Sequence, residues 1–141
     1  FWYKNYKTRN IKIMKKIIIV VSNYYEDISN SLLQNALKEL KNFKINKIIK
    51  VPGVFEIPVT IVKNINKVDG VVALGCVIKG KTPHFEFISA ASTNAIMQIS
   101  LQYKKPIGNG ILTCLNMSQA IKRVSKGSDA AKAVISVVTQ K

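Results

Sequence analysis

The chain is short of the residues from which many active centres are built. Its 141 positions hold one histidine, two cysteines and two arginines. Cys76 and Cys114 form no CxxC pair, so zinc and thioredoxin-like readings have no support. Each cysteine sits at or near the end of an apolar run and reads as a reduced, buried thiol of a cytoplasmic protein. Long apolar stretches are missing too. Runs such as Ile17–Val21 fall far short of the roughly 20 residues of a membrane span. No basic, apolar and cleavage-site succession marks a secretory signal. The chain opens on Phe1 rather than Met. Its first residues are basic, aromatic and without clear periodicity, so residues 1–14 read as a loose or peripheral N-terminal arm, with Met14 a candidate start. Residues 15–141 suit a single domain with one core.

Negative charge is scarce: 7 acidic residues face 22 basic ones, for a formal charge of +15. Such a balance raises nucleic-acid binding through phosphate neutralisation. The basic residues are nearly all lysine, however, and they are spread along the chain. Only Arg9 and Arg123 offer the guanidinium favoured for bidentate contacts. The lysines therefore read as a solvated surface, and nucleic acid and membrane are both set aside as partners.

What is present is alternation. Lys16–Ser22 is an apolar, β-branched run of the kind that forms a parallel strand buried on both faces. Ile28, Leu32, Leu33, Ala36, Leu37 and Leu40 follow at helical spacing. A second strand is expected at 46–51, broken by Pro52-Gly53. A helix is expected over 55–65, with Pro58 in its first turn. A third strand is expected at 68–77. Pro83 then opens a long helix whose inner face would run Phe85, Ile88, Ala91, Ser92, Ala95, Ile99. A fourth strand is expected at 106–113. Asn116 and Gln119 form a capping box for the next helix, and a last helix covers about 127–139. This βαβαβαβαα order argues for a parallel sheet covered on both faces. Sites in such sheets form beyond the carboxyl ends of the strands, here at 23–27, 52–56, 76–84 and 113–116.

Residues 75–82 read G-C-V-I-K-G-K-T and match the phosphate-loop pattern letter for letter. Val77 and Ile78 continue the strand instead of wrapping a nucleotide. No apolar strand ends on the acidic residue that Mg²⁺ would need. What survives is an anion seat, since Gly80, Lys81 and Thr82 precede a helix N-terminus. His84, the lone histidine, lies two residues on and is placed to move protons near neutral pH. Histidines of this kind are more often structural, and its neighbours are what single it out. Glu56 either stabilises a helix start or accepts hydrogen bonds from a polyol or amine. Tyr24 and Tyr25 either pack an edge or offer a face to a heteroaromatic ring. Arg123 either lies on a solvated helix face or contacts phosphate. The residues alone thus describe a small α/β domain for a phosphorylated, partly aromatic substrate, with one histidine as acid and base. A site so shallow would be completed by a neighbouring subunit.

Three motifs, VPGVFEIP, GCVIKGKTPHFEF and PIGNGILT followed by QAIKR, stand in an order and spacing that resembles the lumazine synthases, over roughly Lys16 to Val138. The resemblance implies a flavodoxin-like three-layer αβα sandwich with a four-stranded parallel sheet. It implies condensation of 5-amino-6-ribitylamino-pyrimidinedione with 3,4-dihydroxy-2-butanone 4-phosphate to 6,7-dimethyl-8-ribityllumazine, phosphate and water, in riboflavin biosynthesis. It implies no metal or organic cofactor. A homopentamer with active sites between subunits is expected, which in some members closes into a capsid of twelve pentamers, with riboflavin synthase a candidate partner. Carried over by position, Tyr24 would stack on the pyrimidine, and Val54, Phe55 and Glu56 would hold the ribityl chain. Cys76, Val77 and Ile78 would line the ring pocket, Lys81 and Thr82 would bind phosphate, and His84 would donate and accept protons. Arg123 would reach the phosphate from the adjacent subunit. Asn109 stands where many members place an aromatic ring over the substrate, and Lys79 stands where they have arginine. The segment between Arg123 and Lys126 is shorter than in the family, with Lys126 matching a late lysine near the pyrimidine. These departures leave a catalytically decayed scaffold or ligand-binding protein as the alternative.

Overall fold

A computed structural model describes residues 14–140 of the chain. The arm expected over 1–14 therefore lies, Met14 apart, outside the described residues. Four strands, β1 (Lys16–Ser22), β2 (Lys44–Val51), β3 (Gly70–Ile78) and β4 (Ile107–Cys114), form one sheet in the order β2-β1-β3-β4, every pair parallel. Helices α1 (Glu26–Glu39), α2 (Ile57–Asn64), α3 (His84–Tyr103), α4 (Met117–Lys122) and α5 (Lys126–Val138) connect and cover it. This is the flavodoxin-like arrangement, whose characteristic order begins 2-1-3-4.

Strand alternation builds two cores. Ile17, Ile19 and Val21 of β1 join Val72 and Leu74 of β3 under α1 and α5. Ile18 and Val20 join Val71 and Ala73 under α2 and α3. Five consecutive aliphatic residues in β1, each at most 2% exposed, need a layer on either face, which is what the unbroken apolar run implies. At about 1.5–3 kcal/mol per fully buried aliphatic side chain, these central strands anchor the sandwich. The α5 layer sits unusually close. A Cβ on Gly127 would lie 2.1 Å from the Leu32 carbonyl oxygen, and one on Gly108 2.1 Å from that of Ala130.

Several boundaries differ from the sequence reading. Strand β2 starts at Lys44, and its register with β1 shifts between Ile17 and Ile18, which face Ile45 and Lys47. Asn46 is the residue passed over. β2 is an edge strand, mostly exposed, because α1 and α2 centre on β1 and β3. The helix expected at 55–65 opens and closes as 3-10 turns, Val54–Glu56 and Ile65–Lys67, around α2. The inner face of α3 is Ile88, Ser92, Ile96 and Ile99, whereas Ala91 is exposed. An alanine buries little area, so the larger Ile96 decides the rotation. The cap of α4 is shifted by one donor. Asn116 Oδ1 accepts from Gln119 N at 2.9 Å, while Gln119 Oε1 accepts from Leu115 N at 2.8 Å instead of from the cap residue itself.

Candidate active site

Chain direction places the site. From β1 the chain moves outward to β2 and then crosses back to β3, so the connections leaving β1 and β3 diverge. That switch point opens a crevice beyond the carboxyl ends of both strands. A cavity of about 380 Å³ lies there, lined by Tyr24, Tyr25, Gly53, Val54, Phe55, Glu56, Cys76, Val77, Ile78, Gly80, Thr82, His84, Phe85 and Ile88.

Each wall follows from local sequence. Pro52-Gly53 ends β2 and turns the chain through the 3-10 turn, where Glu56 N donates to Gly53 O at 3.2 Å. Val54 is buried beneath the turn, Glu56 is half-buried, and Phe55 is 75% exposed. Tyr24 and Tyr25 meet edge to face, their ring centroids 4.9 Å apart. Tyr24 is 74% exposed, so the edge contact leaves a ring face open to a ligand. Cys76, Val77 and Ile78 are still strand residues, and they supply the floor. Strand geometry through Ile78 also rules out the nucleotide-wrapping loop suggested by the GxxxxGKT match.

Beyond β3, Gly80 to Thr82 lead into α3, whose first residue is His84. The amides of the first helical turn lack intrahelical acceptors and face an anion favourably. Lys79 and Glu86 pair loosely at 4.0 Å with both side chains about half exposed, which is worth well under about 1 kcal/mol. It is the only salt bridge among the described residues, so neither Lys81 nor Arg123 is neutralised by a carboxylate there.

The cavity floor is electrically quiet. Burial, with a smaller contribution from Cys114, pushes the Cys76 thiol up to about 12. Tyr25 is also raised, first by burial and then by Tyr24 and Cys76. Cys76 is therefore a neutral thiol at physiological pH and supplies no thiolate nucleophile. The polar side chains the cavity offers are those of Glu56, Thr82 and His84, which are candidates for hydrogen bonding and proton transfer.

Tyr24, Val54, Phe55, Glu56, Cys76, Val77, Ile78, Thr82 and His84 thus meet in one cavity, and Lys81 lies between two of its lining residues. Asn109, Arg123 and Lys126 do not line it. Asn109 is exposed on edge strand β4, its Oδ1 accepting from Ile111 N at 3.0 Å. Arg123 ends α4 and Lys126 begins α5, both exposed. Sequence reasoning missed Phe85 and Ile88 as cavity walls, since helical spacing marked them as core. Their position in the turns next to His84 was the available signal. Gly53 carried none beyond its place in the turn.

The family described as 6,7-dimethyl-8-ribityllumazine synthase matches residues 14–141. A relative of that name from Afipia carboxidovorans is 40% identical over 87% of this chain and 83% of its own length. Relatives of the same name from Ruthia magnifica and Nitrobacter hamburgensis are 36% and 38% identical, covering 98% and 87% of this chain and 90% and 83% of their own lengths. Among solved structures, a short-chain flavodoxin associated with a bacterial microcompartment overlays 89% of this chain and all of its own, with a TM-score of 0.41 and 12% identity.

Proposed function

The chain belongs to the 6,7-dimethyl-8-ribityllumazine synthase family, and from that premise we propose how its cavity performs the reaction. The enzyme condenses 5-amino-6-ribitylamino-pyrimidinedione with 3,4-dihydroxy-2-butanone 4-phosphate, releasing phosphate and water, in riboflavin biosynthesis. The observation that carries the assignment of roles is the meeting of an aromatic wall, a half-buried carboxylate, an anion seat and the lone histidine in one cavity at the switch point.

Tyr24 stacks on the pyrimidine. Val54, Phe55 and Glu56 hold the ribityl chain, Glu56 accepting hydrogen bonds from its hydroxyls. The strand residues Cys76 to Ile78 present backbone groups to the ring edge. Gly80, Lys81 and Thr82 receive the phosphate of the ketone. His84, beside that seat, carries protons as the amine and ketone form an imine, phosphate leaves and the second ring closes. The two substrates supply most of the reactivity, so holding amine and carbonyl together is a large part of the rate enhancement.

A second subunit completes the site. The cavity is open on the side where Tyr24 and Phe55 are exposed, and Arg123, Lys126 and Asn109 lie away from it on their own chain. From an adjacent subunit, Arg123 would clamp the phosphate, and Asn109 and Lys126 would approach the pyrimidine. Phe87, Met97 and Leu101 give α3 an exposed apolar face that suits burial between copies in a homopentamer. Two buried free thiols suit a reducing compartment, and we place the reaction in the cytoplasm.

The test follows lumazine formation by absorbance against the uncatalysed background. Wild-type protein is expected to accelerate it, and His84→Ala to lose about 10²-fold or more in turnover with its sedimentation unchanged. An unchanged turnover number for the variant removes the proton-transfer role. Product no faster than background from folded wild-type protein would make this chain a binding or scaffold member of its family.

A further inference from the structure

Gly75 is the β3 residue just before the cavity floor, and its missing side chain is where three site-bearing segments converge. An added Cβ would fall 2.4 Å from Ser22 Oγ, 3.0 Å from Val54 Cγ2 and 3.5 Å from Ile57 Cδ1. Ser22 ends β1 immediately before the Tyr24-Tyr25 loop and is 1% exposed. Its hydroxyl is buried without a hydrogen-bond partner among the described residues. Its carbonyl is tied on the far side by a hydrogen bond from Ser29 Oγ in α1. Val54 opens the 3-10 turn that carries Glu56. The space beside the Gly75 Cα is therefore occupied by Ser22 from one neighbour and Val54 from the other.

We propose that Gly75 is a positioning residue for the pyrimidine substrate. The cradle left by its absent side chain lets the Val54–Glu56 turn close onto the carboxyl end of β3, and so fixes the width of the cavity between Glu56 and the Cys76–Ile78 edge. The proposal rests on the assignment of Val54–Glu56 to the ribityl chain. The Ser22 hydroxyl lies against Gly75 at a distance that no larger residue at 75 would permit. The phosphate seat at Gly80–Thr82 lies past the end of β3, outside this contact, so the two substrates should respond differently.

Gly75→Ala forces the test. Ordinary contact begins near 3.4 Å, so with a Cβ 2.4 Å from Ser22 Oγ and 3.0 Å from Val54 Cγ2 the buried Ser22 hydroxyl must swing away or its strand shift, and the Val54 turn must give by a few tenths of an ångström. A turn held off β3 weakens its contacts to the bound substrate, and losing one hydrogen bond to a charged group costs about tenfold to hundredfold in affinity. The expected result is a rise of about tenfold or more in KM for the pyrimidine substrate, with KM for the phosphorylated ketone changed by less than about twofold. Adding Ser22→Ala removes the clashing oxygen and should recover most of the loss. Glu56→Gln, measured alongside, separates the two layers of the argument. Raised KM in Glu56→Gln with unchanged KM in folded Gly75→Ala overturns the positioning role alone. No effect in either variant overturns the site assignment beneath it. Parallel loss of both KM values with melting temperature, and no recovery in the double variant, also overturns the proposal, because that is what a merely structural glycine would give. If Gly75→Ala does not accumulate folded, Ser22→Thr adds a methyl group at the same contact. It should show the same selective rise, and unchanged pyrimidine KM there counts against the proposal.

Discussion

Cys76 lines the cavity at the switch point yet should behave as an inert residue, and the structure says by how much. Its thiol is 4% exposed, and burial raises it from an ordinary value near 9.0 to about 12. At pH 8 about one thiol in ten is ionised at the ordinary value, against about one in 10⁴ here, so alkylation should slow by about 10³-fold from ionisation alone. Limited access slows it further. Native protein treated with iodoacetamide at pH 8 and read by mass spectrometry should stay unmodified at Cys76 until denaturant is added. The same cause has a stability consequence. The folded state holds this proton more tightly than the unfolded state, so the associated stability is complete below about pH 9 and is lost as pH rises from there toward about 12. Tyr25, also raised, acts in the same direction at higher pH than the free phenol. Urea unfolding at pH 8 and pH 10.5 should therefore show a drop that is smaller in Cys76→Ala, the difference being at most about 2 kcal/mol at 1.36 kcal/mol per pH unit. Modification of Cys76 in the native protein at a free-thiol rate, or an identical alkaline drop in Cys76→Ala, would refute the reasoning.

Arg123→Ala should raise KM for the phosphorylated ketone by about tenfold or more with turnover less affected, as loss of one charge-assisted contact implies. Unchanged KM would return Arg123 to a solvated helix end. Gly127→Ala should lower stability by about 1–3 kcal/mol or more, because its Cβ would sit 2.1 Å from the Leu32 carbonyl oxygen, a rigid backbone atom. A denaturation midpoint matching wild type would show that α1 and α5 can separate freely. Ser22→Ala should raise stability by about 1 kcal/mol by removing a buried hydroxyl with no partner. A loss would reveal a hydrogen bond to that oxygen.

The strands and the site shared one legible signal. β1 is an unbroken aliphatic run and β3 is buried almost throughout because both their faces are covered, and positions just past such strands are where parallel sheets place ligands. Positions past β1 and β3 include Tyr24 and His84, while Glu56 was marked by the Pro52-Gly53 break after β2. β2 was less legible. As a half-covered edge strand it has no run to follow, and the register shift opposite Asn46 answers to its pairing with β1 rather than to its own residues. α3 was legible in extent but not in rotation. It carries large apolar residues on its free face too, with Phe87, Met97 and Leu101 exposed, so periodicity could not separate its core face from its free one.

By itself the sequence determined the element order, the parallel sheet and the family, because periodicity, strand-end motifs and their spacing are local properties of the chain. It also narrowed the chemistry on offer, since one histidine beside one glycine-containing strand-to-helix junction leaves few arrangements. Tertiary structure decided what depends on distances between segments far apart in the chain. It raised the thiol of Cys76 by burying it beside Cys114. It made Gly75 the cradle for Ser22 and Val54, and it left Asn109, Arg123 and Lys126 outside the cavity of their own chain. Those properties come from packing between layers, and packing is set by the whole fold at once.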